Sequence, residues 1–501
     1  MGDKARPAPL SAPGYARCTY PQEVSRSATR TPQQRLILAI AITASFVAFL
    51  DSSVVNVALP AIVKQLGGGL TTQQWTVDAY LLTLGSLILV AGSVSDAFGR
   101  QRVLRIGLIL FGIASLATAA APTAGVLIAA RLLQGVAGAM LVPSSLALIA
   151  STFDGAERGR AIGTWTAATS GAMIAGPLLG GLAVDLASWR WAFVINVLPI
   201  AAAMYLLTRV EAGDVRSDNA RSDNARSDNA HVDLVSAALC ALGLGGAVFA
   251  LIEQPNLGWG DPAVWGAGLG GAAVFGAFVW RQARIARPML PLGLFAARNF
   301  AWGNISTLLV YGALGLNGFV VSVYLQERAG LTATAAGLST MPITVALIVL
   351  SSRAGVLAGR IGPRLFMTLG PLAMAGGALL MLTVSEPFNY WTQLLPGVML
   401  FGVGVAATVS PLTAAVLGAV DSARSGIASA VNNAVARVAG LVTVAALGAV
   451  VGGQLDLAGF HRAVAFTAVL LALGGVASWV GIRNVGSVPE GRGPGNSLVR
   501  E

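Results

Sequence analysis

Residues 46–60 read Phe46-Val-Ala-Phe49-Leu50-Asp51-Ser-Ser-Val-Val-Asn56-Val-Ala58-Leu59-Pro60. A carboxylate stands in the middle of an apolar run that extends over about 37–60. A helix rises about 1.5 Å per residue, so a run of this length crosses a hydrocarbon core of roughly 30 Å. The same reading continues along the chain. Further apolar runs cover roughly 75–95, 103–121, 124–149, 161–184, 190–208, 233–252, 262–280, 300–325, 333–352, 365–383, 391–417, 425–452 and 463–482. Fourteen spans predict an all-α polytopic membrane protein.

Composition agrees with lipid as the outer solvent. Of 501 residues, 55% are hydrophobic and only 11% charged, and mean hydropathy is +0.72. A soluble surface needs about twice that share of charge. The 61 glycines and 22 prolines suit close helix contact and bends within a bundle. Cys18 and Cys240 make neither a disulfide framework nor a metal site, and with His231 and His461 as the only histidines no metal or other cofactor is expected. No cleaved leader is expected, because the first apolar run opens a series.

An even number of spans puts both ends of the chain on one side. Of the 32 Lys and Arg residues, 26 fall in the tails and loops of that side, against four on the other: Lys64, Arg190, Arg328 and Arg462. The positive-inside rule then makes both termini cytoplasmic. The same distribution accounts for the net charge of +10 without a nucleic-acid partner. Residues 216–230 repeat RSDNA three times, a polar composition that predicts a flexible linker. The expected organisation is a cytoplasmic tail (1–36), a six-helix bundle (37–208), a linker (209–232), two linking spans with a loop (233–299), a second six-helix bundle (300–482) and a tail (483–501).

Two tail-side turns echo each other. Gly92-Ser-Val-Ser-Asp96-Ala-Phe-Gly99-Arg100-Gln-Arg102 follows span two, and Gly355-Val-Leu-Ala-Gly359-Arg-Ile-Gly362-Pro363 follows span ten. Internal repeats of this kind occur in secondary transporters. The chain has no GxxxxGK[ST] phosphate loop, no stretch long enough for a nucleotide-binding domain and no selectivity-filter sequence. An enzyme is not expected, since no nucleophile–base or metal constellation is present.

Charges inside the spans are few and therefore informative. Asp51 is suited to bind and release a proton or to face a cationic solute, with packing as the alternative. Asn56 extends its polar line. Arg131, with Gln134 on the same face of span four, must pair, meet carbonyls or see water. Asp78 lies near the outer end of span two, where a position at the membrane interface suggests a structural or vestibular role, with Trp75 and Tyr80 as belt aromatics; with Asn56 and Gln134 it is also a candidate for the substrate path. Asn432, Asn433 and Arg437 form the most polar patch of the second half, on a substrate path or in helix cohesion. Gly171, Gly176, Pro177, Gly180 and Gly181 mark a tight contact or hinge in span five. Asp96 with Arg100 and Arg102 can hold a neighbouring helix in one conformation.

These segments together resemble the major facilitator superfamily, specifically its fourteen-span drug:proton antiporters. The resemblance runs from Ile37 to Val480 and includes the span-one stretch Leu50–Pro60, the Gly92–Arg102 turn and Arg131-Leu-Leu-Gln134-Gly135-Val-Ala-Gly138. It also takes in Gly171 through Gly181, and Trp189-Arg190-Trp191-Ala-Phe193 with Asn196. It implies two six-helix bundles plus two extra linking helices, and alternating access. It further implies export of lipophilic, aromatic or cationic drugs and antibiotics from a bacterial cytoplasm in exchange for protons. Asp51 and Arg131 would serve coupling, Gly92, Asp96, Gly99, Arg100 and Arg102 the inner gate, and Gly176-Pro177 antiport-specific packing. Gly359 stands where the first turn has Asp96, so the gate is not symmetric. Glu253, at the outer end of span seven, offers a second acid outside both bundles. The partners expected are a small-molecule substrate, protons and lipid, with oligomeric state open. An exporter dedicated to one metabolite or antibiotic, and a receptor that binds without translocating, remain as alternatives.

Overall fold

A computed structural model describes residues 2, 30–210, 232–286, 288–421 and 424–484. The RSDNA repeat and the outer parts of both tails lie outside the described residues. Fourteen helices are long and apolar enough to cross a membrane. They are α1 (Pro32–Leu66), α2 (Gly69–Phe98), α3 (Arg100–Ala120), α4 (Ala124–Thr152), α5 (Gly155–Leu186), α6 (Trp191–Thr208) and α7 (Leu234–Leu257). Then follow α8 (Pro262–Arg284), α9 (Arg298–Glu327), α10 (Ala333–Ile361), α11 (Pro363–Thr383), α12 (Tyr390–Leu417), α13 (Ser425–Val451) and α14 (Leu457–Gly481). Several outrun the apolar runs that announce them. The 35 residues of α1 span about 50 Å, which carries its ends beyond the hydrocarbon.

The helix ends are set by local chemistry. Thr31 opens α1 with a capping box, its hydroxyl accepting from Gln34 N while Gln34 Oε1 accepts from Thr31 N. Asp233, Asp261, Thr332 and Asp456 cap α7, α8, α10 and α14 in the same acceptor role. The two echoing turns match in backbone as well as sequence. Gly99 between α2 and α3 has φ 91°, and Gly362 between α10 and α11 has φ 102°, a region that favours glycine.

The side where α1 begins and α14 ends is the tail side, and the opposite one is the far side. In the first bundle α1 packs on α4, α5 and α6, α4 packs on α2 and α3, and α3 packs on α6. In the second, α9 packs on α12, α13 and α14, α12 on α10 and α11, and α11 on α14. Adding eight to each helix number turns one set into the other. The bundles meet where α2 packs on α13 and α5 on α10, partners that exchange under the same shift, and where α1 meets α9. α7 and α8 pair outside both bundles, and α7 lies against α2 and α13 together.

Hydrogen bonds tie the bundles near the far side. Gln73 Nε2 donates to Glu327 at 2.6 Å, Gln74 Nε2 donates to the carbonyls of Val444 and Ala445, and Ser322 donates to Asn56 O. Asp185 at the end of α5 accepts from the N–H groups of Ala333 and Thr334, which open α10. Toward the tail side α5 and α10 part. Of Met341–Ile361 only Ala358 is buried, and open space surrounds Gly159 and Gly163. The structure is therefore closed at the far side and splayed along this seam toward the tails.

Candidate functional site

Asp51 is 1% exposed in the middle of α1, and Arg131 is fully buried on α4. The Arg131 Nη1 group donates to Asp51 Oδ2 at 2.6 Å and to Gln134 Oε1 at 2.8 Å, while its Nε donates to Thr76 O at 2.9 Å. The other carboxyl oxygen of Asp51 accepts from Gln134 Nε2 at 2.7 Å and from Asn196 Nδ2 at 3.0 Å. Asn196 interrupts α6 between its short first turn and Val197, which is how its amide reaches the centre. Ser115 on α3 completes the set, accepting from Asn196 and donating to Phe193 O. The guanidinium lies 4.5 Å from the Tyr80 ring centroid and 5.8 Å from that of Phe193.

This network offsets much of the cost of charge in an apolar bundle, although Arg131 Nη2 and Asn196 Oδ1 are buried without a hydrogen-bond partner. A buried ion pair offsets its desolvation only when hydrogen bonds satisfy the remaining atoms. Asp51 accepts three such bonds, and every donor belongs to the first bundle. Sequence reading finds Asp51, Arg131 and Gln134 as separate polar positions, and the fold brings all three together. Asn196 enters the sequence analysis only through the span-six resemblance, and Ser115 not at all, because a lone serine in an apolar run carries no signal.

The span-five motif divides its contacts between two partners. A Cβ on Gly176 meets Ser53, and one on Gly180 meets Val54 at 3.0 Å, both on α1. A Cβ on Gly181 lies 2.5 Å from Thr334 Cα, and one on Gly337 lies 2.7 Å from Pro177 O, both across the seam to α10. Gly171 faces open space. The motif is thus a contact within one bundle at Gly176 and Gly180 and a contact between bundles at Pro177 and Gly181.

Two expectations change. Asp78 is at 0% exposure, and Tyr80 is packed under Arg131, so neither faces an interface or vestibule. Both follow from α2 being buried on several sides, by α4, α7 and α13. Asp96 pairs with Arg100 at 3.1 Å at the join between α2 and α3, with its side chain 63% exposed. Open space surrounds Gly92, and Arg102 is exposed. In the second half Asn432 Nδ2 donates to Asn304 Oδ1 and Thr307 Oγ1 on α9, whereas Asn433 and Arg437 are half-buried. Arg437 has its Cβ opposite Gly85 of α2 and its guanidinium 6.0 Å from the Phe49 ring centroid of α1. Glu253 accepts from the Trp75 indole N–H at 2.9 Å and ties α7 to α2. A recess of about 450 Å3, lined by Arg328, Glu386, Asp456, Leu457, Ala458 and His461, lies apart on the far side. No group of three or more His, Cys, Asp or Glu residues that could hold a metal ion occurs among the described residues.

Comparison with known proteins places this geometry. Residues 41–444 and 304–498 match the family described as Major Facilitator Superfamily. The puromycin resistance protein pur8 of Streptomyces alboniger is 33% identical over 469 residues, covering 88% of this chain and 90% of that one. The multidrug resistance protein Stp of Mycobacterium tuberculosis is 35% identical over 416 residues, 82% of this chain and 74% of that protein. The tetracenomycin C resistance and export protein of Streptomyces glaucescens is 30% identical, covering 84% and 76%. Among solved structures, a peptide transporter POT aligns with a TM-score of 0.65 at 14% identity over 89% of this chain and 94% of its own. The xylose transporter XylE of E. coli gives 0.61 at 15% identity over 89% and 99%. These two likenesses show the fold, while the resistance proteins show the branch. The chain belongs to the Major Facilitator Superfamily, among its bacterial fourteen-span antibiotic and multidrug resistance transporters.

Proposed function

We propose that this protein exports small drug or antibiotic molecules from a bacterial cytoplasm in exchange for protons, by alternating access between its two bundles. The observation that carries the reading is the buried Asp51–Arg131 pair, enclosed in one bundle of a two-bundle fold whose halves meet at the far side. The tails are assigned to the cytoplasm from the distribution of Lys and Arg, so the far side is external and the conformation inward-facing. Residues 37–208 and 300–482 rock about the α2–α13 and α5–α10 seams, and 233–299 join them. Asp51 and Arg131 serve coupling: a proton on Asp51 removes the charge that holds Arg131, and the network must rearrange. Asn56, Gln134, Asn432, Asn433 and Arg437 are assigned to the substrate path. The turn of Gly92, Asp96, Gly99, Arg100 and Arg102 acts as inner gate when the tail side closes. The glycines and Pro177 of α5 seat that helix on α1 and α10.

The puromycin and tetracenomycin C resistance proteins bear the names of single antibiotics, which supports a second reading with one dedicated antibiotic substrate. Both readings are tested in proteoliposomes under an imposed pH gradient, with lipophilic, aromatic and cationic compounds offered singly. Solute-dependent proton movement in the wild type, lost in Asp51→Asn while binding persists, is the expected result. Coupled flux unchanged in the variant removes Asp51 from coupling. Binding without flux in folded wild-type protein overturns transport.

A further inference from the structure

Asp51 has every oxygen satisfied, but a second carboxyl in the same bundle has none. Asp78 is completely buried, and neither Oδ1 nor Oδ2 has a hydrogen-bond partner. Its direction is fixed by its neighbours on α2. One turn toward the far side, Gln74 donates to the carbonyls of Val444 and Ala445 on α13. Toward the tail side, Leu81 approaches Gly440 and Gly85 lies against Arg437 and Val438, again on α13. Residues 74, 78, 81 and 85 are one helical stripe, so Asp78 lies in the seam between the two bundles. α7 covers the edge of this seam through Trp75 and Leu82.

Among the described residues, no charged or titratable group around α2 pairs with Asp78, not even Arg131, whose Nη2 is itself buried without a hydrogen-bond partner. From α4, Arg131 binds Thr76 O, Asp51 and Gln134, and Asp51 of α1 is saturated. From α7, Glu253 accepts from Trp75 and Asn256, and the Cys240 thiol faces Ser86. Glu327 of α9 takes Gln73. From α13, Arg437 lies opposite Gly85, about two turns along from Asp78. Tyr80, on α2 itself, lies against Arg131 and Gly138. α3 brings only the arginines of its tail-side start, Arg100, Arg102 and Arg105. Burying an ionised carboxylate here without partners is strongly unfavourable, and closure of the seam therefore favours the neutral carboxyl.

The seam is one of the contacts between bundles that must part for the far side to open. Parting hydrates Asp78 and allows it to ionise; closure without a proton buries a bare charge. Resting on the alternating-access reading above, we propose that Asp78 takes up one proton from the far-side solution whenever the α2–α13 seam closes, so that the carrier returns to the present conformation only when protonated. By linkage, raising the pH favours the far-open state and lowering it favours the closed one.

The test is a distance measurement rather than an activity. Lys64→Cys and Gln454→Cys place nitroxide labels on exposed far-side positions of the two bundles, in a background with Cys18 and Cys240 replaced. Purified protein in lipid nanodiscs is measured at pH 5 and pH 9. The expected result is a longer far-side distance at pH 9 in the parent, a short distance at both pH values with Asp78→Asn, and a response restored in Asp78→Glu. A pH-dependent lengthening that persists in a monodisperse Asp78→Asn protein overturns the proposal. A parent whose distance lengthens with a transported drug but not with pH overturns it too, and leaves the transport reading intact. A parent that responds to neither overturns both. Asp51→Asn in the same assay keeps its pH response if Asp78 is the group that senses closure.

Discussion

At the scale of single residues, the Asp51 network is held by geometry that only a guanidinium supplies. Arg131 uses Nη1 for Asp51 and Gln134, Nε for Thr76 O, and its flat face for Tyr80. A lysine in its place keeps the charge but loses the Nε bond and the stacking. Arg131→Lys is expected to lower thermal stability by about 2 kcal/mol and to abolish solute-coupled proton flux, as read by a melting curve in detergent and by proteoliposome assay. Arg131→Met together with Asp51→Leu removes both charges, and is expected to recover much of the stability and none of the flux, since a buried pair contributes little net against apolar isosteres. Recovery of flux in the double variant would show that the pair is packing alone. The residues of this network are legible in sequence to the extent that they are charged. An acid and a base in apolar runs stand out by cost, whereas Ser115 and Asn196 are cheap enough to pass unnoticed until the fold aims them. The depth of Asp78 was not legible either. Its distance along span two suggests an interface, and only the packing of α4, α7 and α13 around α2 shows that no water reaches it there.

At the scale of elements, contacts too close for a side chain define how the seams close. A methyl group on Gly181 falls 2.5 Å from the backbone of Thr334, where nothing flexible can yield. Gly181→Ala is expected to push α5 from α10, weaken the Asp185 cap on α10 and raise the reactivity of a buried cysteine at the start of α10, such as Ala336→Cys, toward a maleimide several-fold. Gly171→Ala meets open space and serves as the control, with no change in reactivity. The α7–α8 hairpin is closed differently, by charge. Asp233 accepts from Ser236 N and Oγ, and from Arg281 at 3.0 Å. Burial works against ionisation of its carboxyl, but the Ser236 hydrogen bonds and the Arg281 guanidinium outweigh it and hold Asp233 below the ordinary carboxylate value. Its stabilisation is therefore present above the usual carboxylate range and fades as pH falls through the lowered value. Asp233→Ala is expected to cost about 1 kcal/mol at neutral pH and to flatten that acid dependence, measured by thermal unfolding between pH 3 and 7. Spans and turns of this kind are the legible part of the fold, because hydrophobic length and glycine spacing are local properties. Which helices touch is not local. The repeat between the two glycine turns suggests the duplication, but the pairings of α2 with α13 and α5 with α10 emerge only from the assembled bundles.

At the scale of the molecule, the position of α7 raises the question of which bundle carries it. It lies over the α2–α13 seam and touches both sides, yet the two sides must separate if the far side opens. On the α2 side the contacts are directional: Glu253 takes the Trp75 indole, and Asn256 donates to Thr71 at 2.8 Å. On the α13 side they are apolar, with Pro255 against Gly448 and Gly453, and Leu441 and Ala445 sharing one cluster with Leu244 and Val248. These two hydrogen bonds, the Trp75–Glu253 one part-buried, resist shear more than a smooth surface of small and aliphatic groups. α7 and α8 should therefore travel with the first bundle and slide over the second. A Cβ built on Gly453 lies 3.8 Å from Pro255 Cβ, the usual separation across a disulfide. In a background with Cys18 and Cys240 replaced, oxidation of Pro255→Cys with Gly453→Cys is expected to fix α7 to the second bundle and stop drug-coupled proton flux, with reduction restoring it. A short bismaleimide joining Thr71→Cys to Asn256→Cys bridges parts that move together, and flux should survive. The opposite pattern would assign the hairpin to the second bundle, and survival of flux in both would mean that the α2–α13 seam never parts at α7, leaving the α5–α10 seam as the place where the far side opens.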